Sequence, residues 1–266
     1  MPAQPLKDKS VVIVGGTTGL GYSAAQACVA AGARVVVVGR NPDNAKRAAE
    51  CLGDGKAIAV AGDASDPDTS PAAIDFAMRE FGRFDALYHV AGGSGRKAGD
   101  GPLHEITDEG WDYTHRLNLT SLFMSNRAAV RQFLKQGGGG SILNMGSVLG
   151  SSPSPRYFAT HAYASAKSAV VGFTRAISAY YAQKGIRCNL IVPALVETPM
   201  SQRAAGDETI LKFIATKQPL DGGRIGRPED LDAAVVFFLS DASKFCTGAV
   251  LTIDGGWSVT EGQYDR

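Results

Sequence analysis

The chain has 266 residues, 44% hydrophobic and 20% charged, the balance of a globular protein able to bury a full core. Its 27 basic and 26 acidic residues leave a formal net charge of +1, which gives no grounds for a nucleic-acid or anionic-membrane partner. Cys28, Cys51, Cys188 and Cys246 lie far apart with no C-x-x-C pair, which argues against a metal site and against a disulfide framework.

Cys28 and Cys188 sit in apolar surroundings and read as small buried hydrophobes. The first ten residues, MPAQPLKDKS, carry no apolar core of a signal peptide. No apolar run approaches the length of a membrane span. A cytoplasmic protein is expected.

In chain order, a β-branched run at 10–14 is followed by GGTTGLG at 15–21 and a helical pattern at 20–31. Gly15, Gly19 and Gly21 let the backbone turn sharply, and the helix start offers N–H groups to a pyrophosphate. The context, a buried strand running into a helix, is the one such a loop requires. A second run at 34–38 ends in Gly39 and Arg40. An acid in that place holds the ribose 2′-hydroxyl of NAD; here Arg40 could fork onto a 2′-phosphate, and Gly39 leaves room for it. Such a pair at ~4 Å is worth roughly 1–4 kcal/mol. NADP(H) is therefore favoured, with NAD(H) open as the alternative.

A helical pattern at 42–52 leads to a third run at 56–60 and then Asp63, placed to hold an adenine amino group or to form a turn. A helix at 69–81 and a run at 85–90 precede a glycine-rich loop at 91–103 containing Arg96 and Lys97. These two cations read as a solvated edge ahead of an anion-binding one. One long helix is expected over 107–135, then a flexible GGGG turn at 137–140. The run at 141–145 ends beside Ser147, at a carboxyl edge of the sheet, where ligands of open α/β sheets bind.

The helix at 162–184 carries Tyr163 and Lys167, four apart and so on one face. Their neighbours in HAYASAKSAV are small enough to leave both reachable. A run at 186–192, a long segment at 197–227, a helix at 228–239 and a run at 249–253 complete the chain. The long segment exceeds an ordinary connection and is expected to act as a substrate lid. Met200, Leu211, Phe213 and Ile214 in it suit either an apolar lining or core. The strand runs are nearly all apolar, as strands buried on both faces should be. Their alternation with helices predicts a Rossmann-type, doubly wound parallel sheet of about seven strands with helices on both faces, in a single domain spanning 1–266.

GGTTGLG, Asp63, Ala91–Gly92, Asn118, Ser147, YASAK at 163–167, PALVETP at 193–199 and TIDGG at 252–256 occur in one order along the chain. Together they make the chain resemble the short-chain dehydrogenase/reductase family over its full length. That resemblance implies an oxidoreductase that interconverts a carbonyl and a secondary alcohol by hydride transfer with NADP(H). Tyr163 would be the proton donor or acceptor, and Ser147 would hold the substrate oxygen. Lys167 would bind the nicotinamide ribose and tune Tyr163, Asn118 would hold a connecting water, and Thr198 would bind the nicotinamide carboxamide. Further cofactor contacts are implied at Thr17, Thr18, Leu20, Ala64, Ala91, Gly92, Pro193 and Val196. The resemblance also implies a small-molecule substrate and a homotetramer or homodimer. The tetramer would assemble through the helices at 107–135 and 162–184 and the segment near Trp257.

A free phenol has a pKa of ~10, so Tyr163 would need lowering by about 2–3 units, and an ammonium one turn away together with the positive nicotinamide ring of the oxidised cofactor is a source for this. Val14, His89, Val90, Met145, Gly146 and Ala194 depart from the family's frequent residues, and none removes a catalytic group. Arg156, Tyr157 and His161 lie in a lengthened stretch before Tyr163, with loop or packing roles expected ahead of substrate contact. An NAD-dependent alcohol dehydrogenase of the same family is one alternative. A dinucleotide-sensing regulator is another, for which a broken Ser–Tyr–Lys set would be expected.

Overall fold

The structure is a computed structural model and describes residues 4–263. Seven strands form one sheet in the order β3-β2-β1-β4-β5-β6-β7. They are β1 (Ser10–Val14), β2 (Arg34–Gly39), β3 (Ala57–Ala61), β4 (Ala86–His89), β5 (Gly140–Met145), β6 (Ile186–Pro193) and β7 (Val250–Ile253). Every pairing is parallel. The expected runs become strands because each can bury both its faces. All five residues of β1 are buried. Val11 and Ile13 face one apolar cluster together with Val35 and Val37, while Val12, Val14, Val36 and Val38 face another, as the two-residue period of a strand requires. At the sheet edge β7 behaves differently: Leu251 is exposed, because an edge strand has a neighbour on one side only.

Ten helices were found among the described residues: α1 (Gly19–Ala30), α2 (Pro42–Leu52), α3 (Thr69–Phe81), α4 (Asp108–His115), α5 (Ser121–Gln136), α6 (Pro155–Phe158), α7 (His161–Tyr181), α8 (Gln202–Ala205), α9 (Glu208–Lys217) and α10 (Asp232–Leu239). Side chains of α1, α2 and α10 pack in the first cluster. Those of α3, α5 and the C-terminal half of α7 pack in the second. The helix expected over 107–135 is two helices joined by a π-helical turn, Arg116–Thr120. No glycine or proline marks that turn, so the sequence held no signal for it.

The segment 197–227 is not an irregular loop. Its roots are zipped by a bridge between Val196 and Gly226 and by Glu197 N donating to Gly226 O at 2.8 Å. Ala204, Ile210, Phe213 and Ile214 are buried with Leu122, Val148, Val170, Leu190 and Trp257 in a third cluster. Phe213 and Ile214 are therefore core, whereas Met200 is exposed. No helix of the described residues is long and apolar enough to cross a membrane.

Candidate active site

The chain leaves β1 toward β2 on one side and leaves β4 toward β5 on the other. The crevice opened by that reversal at the carboxyl ends of β1 and β4 is where such sheets hold ligands. Gly15 and Ala91 line it. Gly15 N donates to Val38 O and Ala91 N to Val14 O. Gly15 has φ +91°, and a Cβ there would stand 2.7 Å from Ala91 N. A side chain at 15 would separate the two loops. Thr18 is the N-cap of α1, yet its side chain makes no capping bond and the first turn contains no acid. The donors at this helix start are thus not consumed by a side-chain cap, which suits an anionic pyrophosphate. Leu20 and Gly21 lie in that first turn.

Gly39 does not leave the open space expected of it. The Thr17 side chain occupies the position that a Cβ at 39 would take. An acid could enter at 39 only by displacing Thr17. Thr17 thus packs against Gly39 at the end of β2, next to Arg40 in the chain. Asp63, just beyond β3, accepts from the Ser65 amide and hydroxyl, each at 2.8 Å. Burial opposes its ionisation, but those bonds and the charges of Arg40 and Arg116 hold its pKa below the usual carboxylate value. Ala64 beside it is buried. Across the crevice the Thr198 methyl closes over Gly19, and Thr198 N donates to Ser201 Oγ at 2.9 Å. Pro193 ends β6, and Val196 roots the 197–227 segment.

Ser147 follows β5 and caps the short turn Val148–Gly150, accepting from Leu149 N at 3.3 Å. Its hydroxyl also acts on the Tyr163 phenol, favouring the ionised form. Tyr163 and Lys167 occupy one face of α7, with Lys167 Nζ 5.6 Å from the centre of the Tyr163 ring. Lys167 is only 3% exposed and donates to Met145 O at 3.0 Å. Burial pulls its pKa down to about 8. Burial also pushes the Tyr163 phenol above its usual value, with Ser147 opposing part of the rise. Desolvation of the phenolate dominates in this setting.

Asn118 is drawn inward by the π-helical turn and is fully buried. Its Oδ1 accepts from Gly93 N at 3.0 Å, and its Nδ2 donates to Gly93 O and Thr114 O, both at 2.9 Å. Asn118 Oδ1 and Lys167 Nζ both crowd Gly92. Gly92, Asn118, Ser147, Tyr163 and Lys167 thus converge from the ends of β4 and β5 and from the helices beside them.

Two further groups shape this centre without having been singled out from the sequence. Asp100 is 6% exposed; its Oδ1 accepts from Ala162 N and its Oδ2 from Tyr163 N, both at 3.0 Å. It thereby caps α7, whose own N-cap Thr160 makes no side-chain capping bond. A cap from so distant a position leaves no local pattern to read. His89, noted only as a departure from the family's frequent Asn, is buried between Ser125 Oγ (2.7 Å) and Ser121 Oγ (3.4 Å). Burial, and then the charge of Lys167, take its pKa down to about 3.

His161 starts α7, with its side chain exposed and its amide donating to Gly101 O at 3.2 Å. The Tyr157 ring packs on Phe213, and Arg156 lies over the Tyr157 ring. Lys97 is exposed.

A doubly wound sheet with a glycine-lined crevice at its switch point, and a serine–tyrosine–lysine group at the same edge, defines a dinucleotide-dependent oxidoreductase. A family profile described as Enoyl-(Acyl carrier protein) reductase matches residues 14–258. The chain is 33% identical over 253 residues to a cis-4-hydroxycyclohexanecarboxylate dehydrogenase of Sinomonas cyclohexanicum, covering 94% of this chain and 97% of that one. It is 35% identical to a 2-(S)-hydroxypropyl-CoM dehydrogenase 3 of Xanthobacter autotrophicus, again over 94% and 97%. A solved short-chain type dehydrogenase/reductase from Mycobacterium ulcerans superposes with a TM-score of 0.87 at 31% identity, covering 96% of this chain and 92% of that one. The chain belongs to the short-chain dehydrogenase/reductase family, NAD(P)-binding oxidoreductases acting on CH–OH groups.

Proposed function

We propose that this protein interconverts a ketone or aldehyde with a secondary or primary alcohol, using NADP(H), and that Tyr163 is the proton donor and acceptor. The observation that carries this reading is the convergence of Ser147 on the Tyr163 phenol, with Lys167 Nζ 5.6 Å from the Tyr163 ring centre. The bound dinucleotide supplies or takes up the hydride. Ser147 and Tyr163 together grip the substrate oxygen. A phenol held above its usual value is protonated at neutral pH, so Tyr163 is loaded to donate as negative charge develops on that oxygen. In the opposite direction its proton must leave, and the Lys167 ammonium, still mostly charged at pH 7, favours that step. Lys167 would also bind the hydroxyls of the nicotinamide ribose. Asn118 spends its side chain on Gly93 and Thr114, so any connecting water falls to its main-chain carbonyl.

NADP(H) is supported by Arg40 and by the Thr17 hydroxyl that fills the place of an acid at 39. The chain works as one dinucleotide-binding unit with 197–227 as its lid over the nicotinamide end, where Thr198 closes on Gly19. A homotetramer is supported by exposed Trp111, Tyr113 and Phe123 around α4 and α5 and by Tyr180 on α7. Trp257 itself is buried in the third cluster, so that segment would contribute through exposed Val259.

Steady-state kinetics with NADPH and NADH against a panel of ketones, aldehydes and alcohols tests the reading. Tyr163→Phe should lower kcat by about 10²–10⁴-fold, the usual scale of general acid catalysis, while cofactor binding by fluorescence titration stays within about twofold. Retained turnover in that variant would remove Tyr163 from the role of proton donor. NADH used as well as NADPH would sink the Arg40 assignment.

A further inference from the structure

Two guanidinium groups converge on one main-chain oxygen in the stretch between Ser147 and Tyr163. Arg96, in the loop after β4, donates through Nη2 to the Tyr157 carbonyl at 3.2 Å. Arg203, on α8 of the 197–227 segment, donates through its own Nη2 to that same carbonyl at 3.1 Å. Tyr157 lies between Ser147 and Tyr163 in the chain, so the three segments that surround the serine–tyrosine pair meet here. Among the described residues neither arginine has a carboxylate within 4.0 Å, the range of the ion pairs seen elsewhere in the molecule. The acid that acts on Arg96, Asp100, has both oxygens engaged by the amides of Ala162 and Tyr163.

Two cations brought to one acceptor repel each other. Both guanidiniums lie at the exposed surface, and the Arg96 pKa is lowered by partial desolvation and then by Arg203, with Asp100 opposing. Each guanidinium has five N–H donors in a planar fork, and one from each is bonded to the Tyr157 carbonyl. An arrangement that leaves forked donors and surplus positive charge at the edge of a catalytic cleft matches a planar oxyanion. We propose that Arg96 and Arg203 form a subsite for a substrate carboxylate, making the protein an oxidoreductase of oxo- and hydroxycarboxylates. This rests on the carbonyl–alcohol reading above for the reacting end of the substrate. The carboxylate docks on the arginines, and the carbonyl is thereby directed toward Ser147 and Tyr163. It also relieves the repulsion between the two guanidiniums, so binding draws the 197–227 segment toward the loop after β4.

The test uses matched pairs: 4-oxopentanoate and 4-oxocyclohexanecarboxylate, each beside its methyl ester. The native protein should favour the acids, with KM rising as KCl is added. Arg96→Gln and Arg203→Gln should each cut the acid-to-ester ratio of kcat/KM by tenfold or more, and Arg→Lys at either position should restore part of it. Equal use of acid and ester by the native protein, or an equal loss for both in the variants, overturns the subsite and leaves the arginines as a structural latch on Tyr157. Calorimetric titration of the acids into the cofactor-loaded protein separates this from failure at the reacting end. Acid binding that Arg203→Gln removes, without reduction of any acid or ester, sustains the subsite and sinks the carbonyl–alcohol reading. No binding and no turnover of the acids overturns the subsite.

Discussion

Asp100 Oδ2 accepts a hydrogen bond from the backbone N of Tyr163 at 3.0 Å, across 63 residues of sequence. With Oδ1 on Ala162 N, this carboxylate closes the N-terminus of the helix that presents Tyr163 and Lys167. A negative charge there also meets the positive end of the helix dipole. The rest of the loop is held by Asp100 N donating to Gly95 O and by His161 N donating to Gly101 O. Asp100 thus couples the loop after β4 to the position of the phenol.

Asp100→Ala should lower stability by about 1–3 kcal/mol, the range for losing a cap or a charged buried hydrogen bond. It should lower kcat more than it raises KM for cofactor, because the helix start carrying Tyr163 loosens. Asp100→Asn keeps one acceptor oxygen and should recover part of both losses. Denaturant midpoints and kcat measured on the same preparations check this. An Ala variant with native stability would show that the cap adds nothing.

Lys167 sets stability against activity. Its pKa is about 8 in the fold against ~10.4 when unfolded, so the folded state binds its proton less well. The cost of burying the ammonium is fully present below pH 8, shrinks as pH rises from 8 to about 10.4, and is gone above that. Lys167→Met should therefore be more stable than the native protein at pH 7, by on the order of 3 kcal/mol less the lost bond to Met145 O. The advantage should fade by pH 10, while turnover falls at every pH. Urea melts at pH 7 and pH 10 decide it; a variant that is less stable at both would refute the assignment.

His89 makes the protein sensitive to acid. Its pKa is about 3 in the fold against ~6.5 unfolded. The unfolded chain takes up the proton first, so stability is full above pH 6.5 and is lost progressively between pH 6.5 and 3. His89→Asn should flatten this part of the stability–pH curve, and the gap between variant and native protein should narrow as pH falls. Curves that stay parallel down to pH 4 would assign the acid sensitivity elsewhere.

Arg40 and Thr17 bear on the choice of cofactor. Arg40→Ala should reduce kcat/KM for NADPH by about tenfold or more and leave NADH within about twofold. Gly39→Asp alone should impair both cofactors, because the new side chain must displace Thr17. Gly39→Asp with Thr17→Gly should shift preference toward NADH. Initial-rate measurements with the two cofactors check all three.

Much of the fold could be read along the chain because it depends on local pattern. The seven apolar runs became the seven strands, with ends moved by a residue or two, since a strand buried on both faces needs little beyond continuous β-branched side chains. The spacing of Tyr163 and Lys167 and the glycines after β1 were legible for the same reason. One helical turn fixes the first, and one strand-to-helix connection fixes the second.

What the sequence left open depends on groups brought together from afar. The π-helical turn that carries Asn118 inward has no residue signature. Gly39 was expected to leave space, but Thr17 fills it from the preceding loop. The phenol was expected to be lowered by the ammonium together with the oxidised nicotinamide ring; burial by the surrounding elements acts in the opposite direction, and no local spacing reports that burial. Neither Asp100 nor Arg203 stands out along the chain. Only the tertiary structure sets Asp100 on the helix of Tyr163 and Arg203 beside Arg96. A side chain's partner across such a span is chosen by how the sheet and helices pack, whereas its local conformation is chosen by its immediate neighbours.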